Sequence, residues 1–395
     1  MAVADPGREF DIVLFGATGF TGGLAADYLA RNAPRECRWA VAGRNDAKLE
    51  QARARLAGLD GASRGLANLP LLHADTAMPD SLREVARRAR VVVSTVGPYL
   101  EHGEPLVAAC AEAGTDYADL TGEPEFVDTM YVRHHRQAVE SGARLVHACG
   151  FDSVPHDLGA LFTVRQLPSG VPIRLRGMLR TSGSVSAGTF RSAVGAFARA
   201  RQMRAAAAAR RSVEPEPDGR RVRTVARRPH FDRESGNWLV PLPTIDPMVV
   251  RRSAAALDDY GPDFVYSHYA AFKRLPAVAG GVAAVGTVFA AAQVPALRRL
   301  MLDRVPAGQG PSRERRARSW FSVRFVGEGG GAVVRTEVSG GDPGYDETAK
   351  MLCESALSLA FDDNPATAGQ VTTAQAMGGH LIDRLVRAGI RFEKR

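Results

Sequence analysis

The sequence is poor in cysteine, and it lacks recognisable metal-binding or nucleophile motifs. Its four cysteines (Cys37, Cys110, Cys149 and Cys353) are scattered, with no Cys-x-x-Cys pair and no histidine at ligand spacing. Neither a disulfide framework nor a metal site is therefore predicted. The first residues include several charges where a signal peptide would be apolar, so the predicted location is the cytoplasm.

Lysine is also scarce, since only four of the 51 basic residues are lysines, although the formal net charge is +8. No helix-turn-helix, zinc-finger or ribonucleoprotein motif accompanies this charge, so a nucleic-acid partner is not predicted. The excess is local, because ten arginines lie between Arg199 and Arg228. Two interpretations stay open for this segment: a solvated insertion, or a face that docks a membrane, a coenzyme A tail or an acidic carrier protein.

A run of β-branched and aromatic residues near the start of the chain ends in three glycines. Residues 10–15 favour a strand, Gly16, Gly19 and Gly22 follow at a spacing of three, and residues 24–31 favour a helix. A strand, a tight turn and a helix in this order are the context of a dinucleotide-binding fingerprint, in which the glycines allow close backbone approach. The residues predicted to contact the phosphates are Gly16, Ala17, Thr18, Gly19, Phe20, Thr21 and Gly22.

The second predicted strand ends at Arg44 instead of at an acidic residue. Enzymes that prefer the unphosphorylated cofactor usually place an aspartate or glutamate there for the ribose hydroxyls. Arg44 offers a planar cationic fork suited to a 2′-phosphate, and Lys48 lies one helical turn further on. NADP is therefore the predicted cofactor, and Asp75, which ends the third predicted strand, is a further candidate for contact with it.

Strand-like and helix-like segments alternate about six times up to residue 155, which predicts an α/β fold with a doubly wound parallel sheet of the Rossmann type. The uninterrupted run 91–96 suits a strand that is buried on both faces. Ligands bind at the carboxyl edge of such sheets. The residues after this strand that are predicted to face the cofactor are Thr95, Gly97, Pro98 and Tyr99.

The remainder of the chain predicts a second α+β domain over residues 156–345. Residues 319–326 and 332–338 alternate in polarity around a glycine-rich stretch, which predicts an antiparallel hairpin. Residues 346–395 are predicted to fold back against the N-terminal sheet as two helices, 346–361 and 373–387.

Several separated motifs resemble those of the saccharopine dehydrogenase-like oxidoreductases. They are residues 16–22, 95–99, 117–123 and 150–159, and residues 354–357 and 371–378 are similar to the final segments of one branch. That branch is the trans-acting enoyl reductases, which are associated with polyketide-lipid synthesis. The branch usually has Thr-Pro-Ala near its end, and this chain has Thr373-Ala374.

The resemblance implies an NADP-dependent oxidoreductase that reduces a double bond in a small-molecule or carrier-bound lipid or polyketide intermediate. Two alternatives stay open: an imine-reducing enzyme of the saccharopine dehydrogenase type, and an NADP-binding protein without turnover that is associated with membranes or lipid. The small-residue loop 182–189 resembles a wall of the family's substrate pocket, although it could equally be a connector.

Reduction of an enoyl thioester needs a hydride at one carbon and a proton at its neighbour. The predicted catalytic candidates are Tyr99, Tyr117 and Asp152, and His147 and His156 are expected at the same edge. Each of them could instead have a structural role. Asp119 and Glu123 are expected to order the loop on the cofactor side.

Residues 275–297 are uncharged, rich in alanine, valine and glycine, and flanked by pairs of basic residues. The segment is barely long enough to span a bilayer, and Pro276 and Pro295 shorten its helical part. A helix that lies on a membrane or lines a channel for an apolar chain is favoured over a spanning helix, and an ordinary core helix stays open.

Overall fold

The structure is a computed structural model that describes residues 7–63, 65–182, 187–304 and 310–395. The strands are β1 (Phe10–Phe15), β2 (Trp39–Gly43), β3 (Leu71–His73), β4 (Ala89–Ser94), β5 (Asp116–Asp119), β6 (Arg144–Val146), β7 (Ile173–Thr181), β8 (Arg221–Thr224), β9 (His230–Asp232), β10 (Asn237–Pro241), β11 (Asp263–Phe272), β12 (Phe321–Gly329), β13 (Ala332–Gly340), β14 (Gly369–Val371) and β15 (Arg391–Lys394). The α-helices are α1 (Phe20–Asn32), α2 (Asp46–Ala57), α3 (Pro79–Arg88), α4 (Tyr99–His102), α5 (Glu104–Ala113), α6 (Pro124–Ser141), α7 (Val154–Val164), α8 (Ala187–Ala198), α9 (Ala200–Arg211), α10 (Asp246–Ala256), α11 (Leu275–Ala292), α12 (Pro295–Asp303), α13 (Arg313–Ala317), α14 (Asp346–Phe361), α15 (Thr373–Ala376) and α16 (Gly378–Arg387). Short 3-10 helices lie at Leu66–Asn68 and Asp258–Tyr260.

The first sheet has seven parallel strands in the order β14-β6-β5-β4-β1-β2-β3. Alternate side chains of β1 enter different apolar cores. Leu14 shares one core with Leu29 of α1 and Leu352 of α14. Val13 shares the other with Val107 of α5. Helices therefore cover both faces, and the predicted doubly wound fold is confirmed. The strand order reverses between β1 and β4, which is where such sheets bind ligands.

The second sheet has eight strands and mixed pairing. Seven lie in the order β15-β13-β12-β7-β11-β10-β9, and β8 pairs with β11. β7 and β8 run parallel to β11, whereas the remaining pairs are antiparallel. The predicted hairpin is confirmed, because β12 and β13 are joined by a turn that places Gly329 opposite Ala332. Helix α7 packs on β12 and β13, and α10 packs on α7 and β11.

The C-terminal segment contributes to both sheets. Helix α14 packs on α1, β4 and β5, so the predicted return of the C-terminal helices is confirmed. β14 and β15 each join the edge of one sheet, which the sequence does not predict. The helix predicted over residues 373–387 is wrong in one respect, since Gly378 adopts φ +48° and divides it into α15 and α16. The division into domains near residues 155 and 345 stays a prediction.

The apolar segment 275–297 forms α11 and the start of α12. Within the described ranges, α11 is the one helix long and apolar enough to cross a membrane by length and composition, and 12% of it is buried. Val285 and Phe289 are 53% and 47% exposed. The alternative of an ordinary core helix is therefore wrong. Of the small-residue loop 182–189, residues 183–186 lie outside the described residues.

Candidate functional site

The glycine turn after β1 is built on backbone contacts that no side chain would permit. Gly16 has φ +97° and donates its N–H to the carbonyl of Ala42 at 3.0 Å. A Cβ atom on Gly22 would lie 2.0 Å from the carbonyl oxygen of Gly16. Helix α1 can therefore begin directly against the turn only because residue 22 is glycine.

The N-terminus of α1 is open to an anion. Gly19 caps the helix without a side-chain hydrogen bond among the described residues, and the first turn contains no acidic residue. Thr18 and Gly19 are exposed, so the first N–H groups and the positive end of the helix dipole face solvent. Phe20 points elsewhere, since its ring packs edge-to-face on Tyr345 with centroids 5.0 Å apart.

The end of β2 presents two exposed cations. Arg44 and Lys48 are both exposed, and among the described residues no carboxylate pairs with Arg44. The Asn45 side chain caps α2 by accepting the Lys48 N–H at 2.9 Å. Asp75 differs from them, because its carboxylate accepts the Ala77 N–H at 2.9 Å and so shapes the loop after β3. The arginine and the lysine are thus available to a phosphate.

Hydrogen bonds from two of its own side chains hold the loop after β4 in place. The Thr95 hydroxyl donates to the Phe15 carbonyl at 3.2 Å, next to the glycine turn. The Tyr99 hydroxyl donates to the Ser94 carbonyl at 3.0 Å and accepts the Leu120 N–H at 3.1 Å. Burial raises the pKa of Tyr99 well above its usual range. Tyr99 therefore anchors this loop from inside the protein, whereas the neighbouring Gly97 is exposed.

Two carboxylates order the adjoining loops, as the sequence predicts. Glu123 accepts the Tyr99 N–H at 3.2 Å and the Leu100 N–H at 2.9 Å. Burial raises the pKa of Glu123, although these hydrogen bonds oppose the rise. Asp119 accepts the Ala148 N–H at 3.0 Å and lies 2.7 Å from His147 Nδ1. The loops after β4, β5 and β6 are thereby fixed to one another.

The remaining catalytic candidates lie at different depths. Tyr117 is fully buried in the sheet. Asp152 is half-buried in the loop after β6, and a Cβ atom on Gly122 would lie 3.1 Å from its Oδ2. Asp152 is thus beside the loop after β5 at the carboxyl edge. His156 lies further inside, on α7, and its ring is 5.8 Å from that of Phe151.

Helix α8 covers this edge through contacts that the sequence does not reveal. Ser192 donates to the Glu123 carboxylate at 3.1 Å. Arg199, which lies between α8 and α9, binds the Glu125 carboxylate with two hydrogen bonds, of 2.9 and 2.5 Å. Each partner lies about 70 residues away in sequence, so no local pattern signals the contact.

The arginine-rich segment is partly structural. Arg210 is buried, with its guanidinium 3.8 Å from the centre of the Tyr131 ring. Arg220 donates to three backbone carbonyls next to α10. Arg221, Arg227 and Arg228 are exposed, so a docking role concerns only part of the segment.

These features fit a dinucleotide with an added phosphate. The glycine turn is a cradle that a Cβ atom would fill, the start of α1 offers N–H donors, and Arg44 offers a cation at the end of β2. When bound, such a cofactor supplies a hydride. The surrounding residues bind it, orient it and position the substrate.

Comparison with known proteins agrees with this reading. Residues 12–146 match the saccharopine dehydrogenase NADP-binding domain. A Mycobacterium tuberculosis protein provisionally named trans-acting enoyl reductase is 38% identical over 98% of this chain and 97% of its own length. A Mycobacterium leprae protein named trans-acting enoyl reductase is 35% identical over 97% of both chains.

A solved structure shows the same fold. Apo saccharopine dehydrogenase (L-Glu forming) from Saccharomyces cerevisiae aligns over 98% of this chain and 99% of its own, with a TM-score of 0.57 and 12% identity. The matching domain identifies the cofactor as NADP(H), and the protein is an NADP-dependent oxidoreductase. The chain belongs to the saccharopine dehydrogenase-like family of the mycobacterial trans-acting enoyl reductases.

Proposed function

We propose that the protein is an NADP-dependent enoyl reductase that acts on a carrier-bound or small-molecule lipid or polyketide intermediate. One observation carries the proposal: relatives named trans-acting enoyl reductase are similar over nearly the whole chain, including the second sheet. A shared nucleotide-binding domain alone would not support a shared substrate class.

The proposed cofactor contacts are those of the open turn and the neighbouring strand ends. Phosphates would bind at Gly16 to Gly22, and Arg44 with Lys48 would bind the 2′-phosphate. These assignments are supported by the exposure of Thr18, Gly19 and the two cations. Thr95, Gly97 and Pro98 would border the nicotinamide side, with Tyr99 and Asp75 supporting the loops on which they lie.

For the proton we propose Asp152 in preference to the two tyrosines. Tyr99 and Tyr117 are both buried, at 6% and 0% exposed. Asp152 is half-buried at the carboxyl edge, beside the loop after β5. In the proposed reaction Asp152 would hold a proton for the α-carbon of the enoyl thioester while the β-carbon receives the hydride.

Asp152→Asn tests this role. We expect kcat for enoyl reduction to fall about 100-fold or more, with little change in the Kd for NADPH. Asp383→Asn, at an exposed position on α16, is the control and should leave both values unchanged. An unchanged kcat in Asp152→Asn would remove Asp152 from the reaction.

The substrate class is tested by a comparison of two acceptors. NADPH oxidation should follow addition of a 2-enoyl thioester, on coenzyme A or on an acyl carrier protein, and a 2-oxo acid with an amino acid should give none. The opposite preference would favour imine reduction, which the relatives' names do not support. NADPH binding without oxidation by either acceptor would favour a protein without turnover.

We further propose that the protein is cytoplasmic and that residues 275–297 give it a peripheral contact with membranes. Support comes from the exposed side chains of α11 and from the exposed Lys273 and Arg274 that precede it. Flotation with vesicles that contain anionic lipid should recover the wild type and lose the double variant Val285→Asp/Phe289→Asp. Val386→Asp, which changes an exposed residue of α16, should float like the wild type. Failure of the wild type to float would reject the contact.

A further inference from the structure

A cluster of two histidines and one aspartate lies buried where α7, α10 and β11 meet. His156 Nδ1 is 2.7 Å from Asp246 Oδ1, and His268 Nε2 is 3.6 Å from Asp246 Oδ2. One ligand atom from each residue lies within 4.8 Å of the other two. The three side chains are only 1%, 4% and 2% exposed, in the order His156, Asp246, His268.

The polar atoms of this cluster converge without satisfying one another. Within the described residues, no hydrogen bond of acceptable geometry is made by either ring nitrogen of His156, by Asp246 Oδ1 or by His268 Nε2. A buried polar atom without a partner destabilises the folded protein, and a buried carboxylate without one destabilises it more. One atom from each of the three residues therefore borders a point at which a single bound ion would satisfy all three.

The surroundings orient one ligand and pack aromatic rings beside the cluster. The Tyr266 hydroxyl lies 3.1 Å from His268 Nδ1, which leaves Nε2 turned toward the cluster. In metal sites the second ring nitrogen of a ligating histidine is held by a partner of this kind. Phe151 packs edge-to-face on His156 and on Phe321, with ring centroids 5.8 and 4.9 Å away. The cluster is thus a polar point within an apolar shell.

We propose that His156, Asp246 and His268 bind one Zn²⁺ ion. Two imidazoles and one carboxylate are a ligand set that zinc prefers, with a fourth position left for water. In a tetrahedral site with zinc bonds of about 2.0–2.1 Å, two ligand atoms lie about 3.4 Å apart, so a pair within 4.8 Å must close by at most about 1.4 Å. The ion neutralises the buried carboxylate and satisfies one ligand atom of each of the three residues.

The ion would tie three distant segments of the chain together. Its ligands come from the first turns of α7 and α10 and from the middle of β11. Through Phe151 it also supports the loop that carries Asp152. The metal therefore links the carboxyl edge of the first sheet to the second sheet, and its loss should lower the melting temperature.

The first test is the zinc content of the full-length protein. Wild type loaded with excess Zn²⁺ and then desalted should retain about one zinc per chain by mass spectrometry of the metal. Cobalt in its place should give visible absorption typical of nitrogen and oxygen ligands. A chelator should lower Tm, and added Zn²⁺ should restore it. Wild type that retains less than about a tenth of an equivalent would overturn the proposal.

Substitution of the proposed ligands tests where the ion binds. His156→Gln and His268→Gln should each reduce zinc affinity about tenfold or more. His147→Gln is the matched control, because His147 is equally buried and paired with Asp119 but has no third ligand among the described residues. It should keep the metal. Zinc retained by both cluster variants at wild-type affinity would contradict the assignment. If the cluster variants do not fold, the wild-type metal content and cobalt spectrum decide the question.

Discussion

The two sheets differ in the sequence distance over which they are assembled. In the first sheet, β1 pairs with β2 and β4, and one or two strand–helix units separate these strands. In the second, β7 pairs with β11 and β12, which follow only after long and varied intervening segments. The first sheet therefore carries a local, repeated signal for cofactor binding. The second is assembled by pairing between segments that lie far apart in the sequence.

The contrast extends to the glycines at which helices meet each sheet. Gly22 holds α1 against backbone of the first sheet's turn, whereas Gly159 holds α7 against side chains of the second sheet. Backbone cannot move aside without altering the turn itself, but a side chain can rotate. Substitutions at the two sites should separate loss of cofactor from loss of stability.

The largest effect is expected for Gly22→Ala. The new Cβ atom would lie 2.0 Å from the Gly16 carbonyl oxygen, so the turn must open. We expect the free energy of unfolding to fall by about 3 kcal/mol and NADPH binding to become undetectable. Chemical denaturation and fluorescence titration measure the two losses. Gly23→Ala, whose Cβ would meet no atom closer than 3.7 Å, is the adjacent control and should retain NADPH binding.

Gly159→Ala should have a smaller effect, and one confined to stability. Its Cβ atom would meet the Phe325 ring at 2.4 Å and Val338 at 2.9 Å, both on the second sheet. We expect about 2 kcal/mol of destabilisation and an unchanged Kd for NADPH. A Cβ atom added at Gly195 on α8 would meet no described atom within 4 Å. Gly195→Ala should therefore stabilise the protein by up to about 1 kcal/mol. If Gly159→Ala and Gly22→Ala lost NADPH affinity equally, the proposed difference between the two glycines would be wrong.

Arg44→Ala should change cofactor choice without changing the fold. Loss of a charged hydrogen bond to a 2′-phosphate corresponds to roughly a tenfold to hundredfold rise in the Kd for NADPH. The Kd for NADH should stay nearly constant. Parallel titrations measure both, with Arg53→Ala on the neighbouring helix as the control. Equal losses for the two cofactors would contradict the role of Arg44.

The smallest effect is expected at the amino end of β1, on the side of the first sheet away from the cofactor. Burial alone would raise the pKa of Asp11, but its hydrogen bonds and ion pair with Arg38 lower it overall. A lowered folded-state pKa stabilises the protein above about pH 4, and this stabilisation disappears as the pH falls through the folded pKa. Asp11→Asn should therefore cost about 1 kcal/mol or less at pH 7, and progressively less as the pH falls below about 4. A pH-independent difference in urea midpoints would show that the charge is irrelevant.

Much of the cofactor half could be predicted because its signals are local. The strand before Gly16, the glycine spacing and the uninterrupted run 91–96 each report the fold within a few residues. The loop-ordering role of Glu123 was also predictable from its place after β5.

The rest depends on contacts between distant residues. His156 is recognisable in the sequence as a candidate, but Asp246 and His268 join it only through the second sheet, so the sequence predicts no metal. The return of β14 and β15 to the two sheets is hidden for the same reason, because each is a short edge strand. The position of Tyr99 beneath its own loop likewise depends on hydrogen bonds with Glu123 and Leu120, which lie more than 20 residues away.

The central claim, hydride transfer to an enoyl substrate, is tested most directly with isotopically labelled cofactor. The wild-type protein is incubated with NADPH deuterated at the transferable position of C4 and with a 2-enoyl thioester, and the product is examined by mass spectrometry. The account predicts a saturated thioester with one deuterium at the β-carbon. NADPH that binds but remains unoxidised, with the enoyl thioester recovered unchanged, would contradict it.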